Sequence, residues 1–591
     1  MMEELSSQLA SDNAAHSLPD TSSAVCRQLL DVLSGHGVKT VVVSPGSRNA
    51  PLSVAVSCRE EFRHIVIPDE RTAAFVALGI AMATKLPVAI ICTSGTALYN
   101  YAPAVAEAFY QHIPLIVISA DRPYQWIDQN DSQTLEQPGA LGKIVKRSFN
   151  IPPVISKNDK PAGTLFHNEE EWFANRVANE AVLTALSVAP GPVHINIQLE
   201  EPLNGIVPAE KRNVRIIRNI EGTGTISPVD IKNLAERLSC KKVMVVAGFM
   251  LPDSDLNKAL GRFSRLPNVT VLCETISNIH IPGSHLIDSL LIRMSDTMKE
   301  ELKPDVVISI GGSLVSRMLK EYLRGSQGLE HWTLGDTDQK VDSFQHLTLH
   351  IDADPARFFS AMAGAVRKVP VSSRSIVSSY NERWNEIRKI TMDEDRNLSE
   401  KAPWSELTAL QHIITTLPPS CNIFPSNGTC IRYQQLFANS IPHACYCNRG
   451  VSGIDGTNAS ALGIASAYRG NTLLLTGDIS FSYCPQILAR KDLGSRFKII
   501  VVNNSGGGIF RFIKSTRNLE AREEYFCAPQ DLNLEGIARS YGWNYRLADD
   551  MNSLRKNLKW LWNTDHPLLE IRVNPSTSAR ALLDYMDGQY R

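Results

Sequence analysis

Three consecutive α/β domains built on parallel sheets are what this sequence predicts. Short β-branched runs alternate with helix-compatible stretches, the pattern of buried parallel strands and crossover helices. The 591 residues exceed what one core supports, at roughly 150 to 200 residues per domain. The pattern also breaks twice, near residues 200–215 and 370–405, at polar or charged stretches. The first block offers "TVVVS", "HIVIP", "VAIICTSG", "LIVISAD" and "VHINIQ" as strands, with "TAAFVALGIAMAT" and "NYAPAVAEAFYQ" as helices between them. "EEPLNGIVPAEKRNVR" connects it to a second block with strands "KVMVVAG", "VTVLCE", "DVVISIGG" and "LTLHIDAD". The charged, helical "SYNERWNEIRKITMDEDRNLSEKAPW" leads to a third block with "CYCNRG", "TLLLTGD", "FKIIVVNN" and "PLLEIRV". The expected domains are therefore 1–200, 215–370 and 400–591.

Composition narrows the function class. With 43% hydrophobic and 20% charged residues and a net charge of −1, no electrostatic footprint for nucleic acid is present. Eleven cysteines are scattered without a C-x-x-C or zinc-like spacing, which predicts reduced, mostly buried thiols. Cys445 and Cys447 are expected on alternate faces of a strand. The N-terminal segment has neither a basic n-region nor an apolar h-region, and no run reaches about 18 apolar residues. The expectation is a cytoplasmic protein without membrane insertion.

In open parallel sheets ligands collect beyond the carboxyl ends of the strands, so those positions carry the chemistry. "LLLTGDIS" ends a strand on Asp478 and "FKIIVVNNSGGGIF" ends one on an Asn-Asn pair. The 24 residues between Asp478 and Asn503 suffice for a crossover to a neighbouring strand, which would bring Asp478 and Asn504 to one sheet edge. A carboxylate and an amide carbonyl are hard oxygen ligands suited to Mg2+ shared with phosphate oxygens. Asp, Asn and Gly singly are ordinary strand-end residues; the spaced combination favours a site. Glu70 follows a strand and opens an apolar helix, where the helix N-terminus alone would justify it. "SPGSR" and "TSGT" are tight turns that could hold a phosphate, grip a carboxylate or merely reverse the chain. "SADRP" sets Arg122 at a strand end.

Together, Glu70, "TSGTALYNYAPAVAEAFYQHIPLIVISADRP" and the Gly-Asp…Asn-Asn pattern resemble thiamine-diphosphate-dependent enzymes of the decarboxylase and carboligase type. That family orders pyrimidine-binding, central Rossmann-like and diphosphate/Mg-binding domains along almost the whole chain. Where it usually has Gly-Asp-Gly, this chain has Gly477-Asp478-Ile479. One branch shares the departure. "SPGSRNAP", "DERTAAFVALGIA", "ADRP" with Gln133 eleven residues beyond Arg122, and "NRGVSGIDG" resemble the 2-succinyl-5-enolpyruvyl-6-hydroxy-3-cyclohexene-1-carboxylate synthases of menaquinone biosynthesis.

The resemblance implies thiamine diphosphate with Mg2+ or Mn2+ as cofactors, and 2-oxoglutarate and isochorismate as substrates. 2-Oxoglutarate loses CO2, and the succinic-semialdehyde carbanion that remains adds to isochorismate in a 1,4 fashion. Glu70 would activate the cofactor and Gln133 would hydrogen-bond a substrate or intermediate. Asp478, Asn504 and the backbone of Gly506 would hold the metal. Ser452, Gly453, Gly477, Ile479, Ser480 and Gly507 would border the cofactor, and Ile454 would prop it into its bent shape. Two dicarboxylic substrates demand several arginines, because the guanidinium fork pairs a carboxylate bidentately and stays charged. Ser47, Arg48, Arg122, Arg317, Arg432 and Arg449 are the candidates, which makes "SPGSR" a carboxylate grip. None of the 14 histidines falls in the matching motifs. A homodimer, or a tetramer of two such dimers, is implied, and no flavin or nicotinamide is expected in the central domain. Two positions depart from the branch: Met318 stands where the second of two basic residues is expected, and Gly428 where a serine is. The remaining alternatives are another thiamine-dependent carboligase or decarboxylase, such as an acetolactate synthase, and a non-catalytic relative.

Overall fold

The computed structural model describes residues 19–153, 166, 169–208, 214–220, 226–282, 287–335, 340–369, 379–437 and 443–590. Two compact units divide the chain, residues 1–77 with 85–220 and residues 78–84 with 221–591.

The first unit holds β1 (Pro19–Thr21), β2 (Thr40–Val43), β3 (Arg63–Val66), β4 (Val88–Cys92), β5 (Leu115–Asp121), β6 (Ser148–Ile151), β7 (Val193–Gln198) and β8 (Ile206–Pro208). Six of these form a parallel sheet in the order β3-β2-β4-β5-β7-β6, while β1 and β8 pair antiparallel. Every residue of β2, β4, β5 and β7 is buried. Helices therefore cover both faces, and the β-branched runs read as continuous rather than alternating. The chain leaves β2 toward β3 on one side and then returns to β4 on the other. The crevice between the ends of β2 and β4 is thus a topological switch point.

The second unit contains two sheets. β9 (Val243–Ala247), β10 (Val269–Cys273), β11 (Val306–Ile310), β12 (Glu330–Leu334) and β13 (Leu347–Ile351) run parallel in the order β10-β9-β11-β12-β13. Residues of β9 alternate between two cores. Val243, Val245 and Ala247 pack with Phe263, Phe358 and Phe359 on one face. Met244 and Val246 pack with Leu290, Leu319, Leu323 and Trp384 on the other. The helix Arg317–Arg324 is held on that second face by Leu319 and Leu323. β14 (Cys421–Pro425), β15 (Asn471–Gly477), β16 (Phe497–Asn503), β17 (Asn544–Ala548) and β18 (Pro567–Arg572) form the last parallel sheet, in the order β14-β15-β16-β18-β17.

The long β-branched runs form the strands the sequence predicts, with one correction. "CYCNRG" is not a strand. Cys445 makes a single isolated bridge to Ile423, and the following residues are irregular. Its backbone pairs instead with a side chain: Asn278 Nδ2 donates to the Cys445 carbonyl at 3.0 Å, and the Cys445 N–H donates to Asn278 Oδ1 at 2.8 Å. Both Cys445 and Cys447 are buried, which is why they resemble a strand in sequence. The charged stretch after the second block is helical, Tyr380–Asp395, and is anchored by the buried Trp384. The expected connector at 370–378 and the first eighteen residues lie outside the described residues.

Candidate active site

At the switch point of the first unit, the turns after β2 and β4 lie against each other. A Cβ on Gly46 would fall 2.4 Å from the Thr93 side chain, so only glycine lets "SPGSR" and "TSGT" meet. Arg48 is buried and Ser47 exposed, just before the helix Ala50–Ser57. Arg48 Nη1 donates to the Leu199 carbonyl at 3.2 Å, and Nη2 pairs with Glu201 at 3.2 Å. Arg122 Nε donates to the Ser132 carbonyl at 3.0 Å, and Nη1 pairs with Asp131 at 2.8 Å. Both arginines line one cleft of about 560 Å3, together with Trp126, Asp131, Glu200 and Glu201. Burial and the nearby Arg122 charge both lower the Arg48 pKa, and Glu201, Asp131 and Asp121 oppose them.

Gln133 borders the same turns. It is exposed, with φ 54°, and its backbone lies 3.2 Å from where a Cβ on Gly95 would sit. The buried Gln137, absent from the sequence expectations, fastens this region. It accepts from the Gly95 N–H at 2.7 Å and donates to the Ala120 carbonyl at 3.1 Å and to Asn196 Oδ1 at 2.8 Å. Glu70 begins the helix Glu70–Thr84 as expected. Its charge reaches the ends of the neighbouring elements. After burial, it is the next cause holding the Cys92 thiol protonated, and it also raises Tyr101.

In the last sheet β15 and β16 are neighbours, so Asp478 and Asn504 leave adjacent strands. Asp478 Oδ2 accepts from the Gly506 N–H and Oδ1 from the Ile479 N–H, both at 2.8 Å. Burial nevertheless pushes its carboxyl up to about 6. Gly506 sits at φ 132°, and a Cβ there would fall 2.4 Å from the Cys527 carbonyl, so glycine is required. Asn504 Nδ2 donates to Glu406 Oε1 at 2.5 Å, which leaves Asn504 Oδ1 buried with no partner in the chain. Glu406 was not legible as a site residue. It is the first residue of the helix Glu406–Thr415, is buried, and holds its carboxyl raised through that burial.

The loop from Asn448 to Asp455 is pinned from beneath. Asn427 Nδ2 donates to the carbonyls of Asn448 at 2.7 Å and Gly453 at 2.8 Å, and Ser480 Oγ donates to the Ile454 carbonyl at 2.7 Å. Ile454 and Ser452 are half-buried, Ser452 at φ 66°; Gly453 and the neighbouring Val451 are exposed. Gly477 caps the short helix Asp478–Ser482, which carries Ile479, and Gly507 follows Gly506 in the turn after β16. Asn448 Oδ1 and Nδ2, Thr457 Oγ1 and Glu406 Oε2 are further buried atoms without partners in the second unit. Buried polar groups are almost always satisfied, so orphans gathered on one loop and strand edge mark a place built for a polar ligand.

Arg449 Nη1 donates to Asn427 Oδ1 at 2.9 Å while its Nε is buried and unpartnered. Arg432 donates to the carbonyl of Gly428, the position where a serine was expected. Burial first and Arg449 second lower the Arg432 pKa. Arg317 does not join this group. Its side chain is 74% exposed and pairs with Glu321, one helical turn away, at 2.7 Å. Met318 packs on the apolar core, which accounts for the missing second basic residue there.

Two models of thiamine pyrophosphate enzymes match the chain, the N-terminal TPP binding domain over residues 24–140 and the C-terminal TPP binding domain over 428–570. The chain is 38% identical over 567 residues to a 2-succinyl-5-enolpyruvyl-6-hydroxy-3-cyclohexene-1-carboxylate synthase of Porphyromonas gingivalis, covering 94% of this chain and 96% of that one. Synthases of the same name from Cytophaga hutchinsonii and Flavobacterium johnsoniae are 36% and 35% identical. They cover 90% and 92% of this chain and 92% and 94% of their own. Among the described residues no helix is long and apolar enough to cross a membrane.

One titratable group in this region yields a stability test. Glu274, at the end of β10, is fully buried, and burial pushes its carboxyl up to about 7 from an ordinary 4.5. The Val315 and Ser316 N–H groups, which donate to it at 2.8 and 2.6 Å, oppose that rise. Between pH 4.5 and 7 the unfolded chain releases this proton while the folded one keeps it. The Glu274 contribution therefore makes stability fall as pH rises through that window, and it is flat above it. Apparent melting temperatures from pH 5 to 8 should show this decline in the wild type, and Glu274→Gln should lose that component of it.

Proposed function

The chain belongs to the family of 2-succinyl-5-enolpyruvyl-6-hydroxy-3-cyclohexene-1-carboxylate synthases, and from that premise we propose that it decarboxylates 2-oxoglutarate and transfers the four-carbon remainder to isochorismate by 1,4-addition, a step of menaquinone biosynthesis. The observation that carries the reading is the set of basic side chains at strand ends. Arg48 and Arg122 line one cleft, paired only with carboxylates of the chain itself, and Arg432 and Arg449 have no ion pair among the described residues. Each substrate brings two carboxylates, and such forks recognise them bidentately.

The residues fit the cofactor. When bound, thiamine diphosphate supplies the carbon nucleophile that a 2-oxo acid needs in order to lose CO2. Glu70 is our candidate to hold a proton on the aminopyrimidine, with the half-buried Ile454 as the prop beneath the ring. The orphaned Asn504 Oδ1, the buried Asp478 carboxylate and the backbone of Gly506 suit Mg2+ or Mn2+ shared with the diphosphate. Among the described residues no three His, Cys, Asp or Glu converge as a metal site, and this set needs only one carboxylate because phosphate supplies the rest. Ser452, Gly453, Gly477, Ile479, Ser480 and Gly507 border that place. Glu406 keeps the Asn504 amide nitrogen engaged and so aims its oxygen outward. In the first unit, the Glu201 partner of Arg48 is 71% exposed, so that ion pair is weak and a substrate carboxylate can replace it. Gln133, beside the Arg122 fork, is our candidate to hydrogen-bond substrate. We further infer domains at 1–200, 215–370 and 400–591, a homodimer or a tetramer of two dimers, and a cytoplasmic location.

Turnover and cofactor binding test this reading. Purified protein with thiamine diphosphate, Mg2+, 2-oxoglutarate and isochorismate should consume isochorismate, release CO2 and add a succinyl unit to the ring by mass. Glu70→Gln should bind cofactor yet lose about 10²- to 10⁴-fold in turnover; full activity would overturn its role. Turnover of pyruvate without isochorismate uptake would favour an acetolactate-type carboligase. Glu406→Ala should weaken Mg2+-dependent cofactor binding about ten- to a hundredfold, read by fluorescence titration, because it removes the group that orients a metal ligand.

A further inference from the structure

The central sheet was expected to contribute basic residues at 317 and 318, and the structure takes both away, Arg317 into solvent and the partly buried Met318 against the apolar core. Another side chain of the same helix stands in a different situation. Lys320 lies four residues after the N-cap Ser316, so it shares the face at which the helix begins rather than the Arg317–Glu321 face. It is half-buried. Its Nζ donates to the Leu314 carbonyl at 2.9 Å, and no carboxylate is within ion-pair distance of it among the described residues.

The segment carrying Lys320 is fixed to the arginine cluster. Glu274 holds the N–H groups of Val315 and Ser316, and Ser316 Oγ donates to the buried Asp288. Ser313 Oγ donates to the Arg449 carbonyl at 2.7 Å. Leu314, the Lys320 acceptor, follows directly. Lys320, Arg449 and Arg432 are therefore three half-buried cations in one locally stitched region, none of them in an ion pair among the described residues. Burial lowers the Lys320 pKa, Glu274 opposes that, and the Arg449 charge lowers it further. Two acids stand nearby, Glu274 and Asp288; burial raises both, and the Arg449 charge lowers the first and the Arg432 charge the second. An ammonium keeps three donors and one is used here, which leaves two for an incoming anion.

We propose that Lys320 binds a substrate carboxylate together with Arg432 and Arg449, replacing the basic pair that positions 317 and 318 do not provide. The assignment rests on the function proposed above for the identity of the substrate, but not for the existence of the anion site.

The test separates the two. Holoenzyme is titrated calorimetrically with succinate and 2-oxoglutarate, and KM is measured for both substrates, in wild type, Lys320→Met, Lys320→Arg and Lys258→Met, the last an exposed lysine elsewhere in the unit. Lys320→Met should weaken dicarboxylate binding and raise at least one KM by about tenfold or more, with kcat changed less. Lys320→Arg should recover most of that loss, and Lys258→Met should match wild type. Unchanged affinity and KM in Lys320→Met overturn the proposal, as does an equal loss in Lys258→Met or a wild type that binds no dicarboxylate. Melting curves and cofactor titration confirm that each variant is folded and loaded. A wild type that binds succinate through Lys320 yet never consumes isochorismate leaves the anion site standing and sinks the functional reading.

Discussion

Hydrogen bonding between parallel strands forces all of them to end at the same edge, and most of the chemistry in this chain follows from that constraint. A parallel ladder cannot be closed by a tight hairpin, so each strand end hands the chain to a loop and a crossover helix. Three parallel sheets present such edges here. The loops leaving them carry Arg48 and Arg122 in the first sheet, Glu274 and the Ser313–Lys320 segment in the second, and Asp478, Asn504 and Arg432 in the third. None of these residues needs a special local fold to reach its edge.

What holds those loops still is a device repeated in all three sheets. A strand ends in or beside a buried carboxylate, and that carboxylate accepts backbone N–H groups of a loop. Asp121 takes the Arg122 N–H, Glu274 those of Val315 and Ser316, and Asp478 those of Ile479 and Gly506. Burial raises the pKa of each, and the N–H bonds lower it. The opposition has a consequence. A carboxylate that is desolvated but bonded to backbone fixes geometry strongly, yet it remains short of positive charge and so draws cations to its vicinity. Arg48 and Arg122 near Asp121, and Arg449 and Lys320 near Glu274, fit that pattern.

Most of the interior was legible because its strands are buried on both faces and read as apolar runs; the interior β12, which carries Glu330, His331 and Thr333, was not. Among the edge strands of the parallel sheets β3, β10 and β13 were legible, and three others were not. β6, β14 and β17 each have only one neighbour, and Asn544–Ala548 exposes alternate residues and carries Asn and Arg. "CYCNRG" misleads for the opposite reason, since two buried cysteines imitate a strand, whereas the segment makes one isolated bridge to Ile423 and pairs otherwise with the Asn278 side chain. Within the site, Asp478 and Asn504 were legible because a single crossover separates them. Glu406, Gln137, Glu274 and Lys320 were not, since their roles depend on partners that are 98, 42, 41 and 42, and many more residues away in sequence. Position 318 shows the converse: a motif position predicted to be basic became core because the helix turned that face inward.

The cations differ in a way that bears on how a dianionic substrate is met. In the first unit each arginine already has a carboxylate partner, and one of those partners is well exposed, so an anion entering that cleft would exchange one ion pair for another with little net change in charge. Such an exchange costs little desolvation and favours selectivity through geometry over raw affinity. In the second unit Arg432, Arg449 and Lys320 are half-buried, each with a hydrogen-bond acceptor but none in an ion pair among the described residues. Burial and the Arg449 charge lower the pKa of the other two, while Asp288 and Glu274 oppose this. The packing of Leu319 and Leu323 and the Glu274 bonds fix the start of the helix that carries Lys320. On the function proposed above, an anion there would relieve like-charge repulsion as well as meet each fork, a contribution that the already paired arginines of the first unit do not offer.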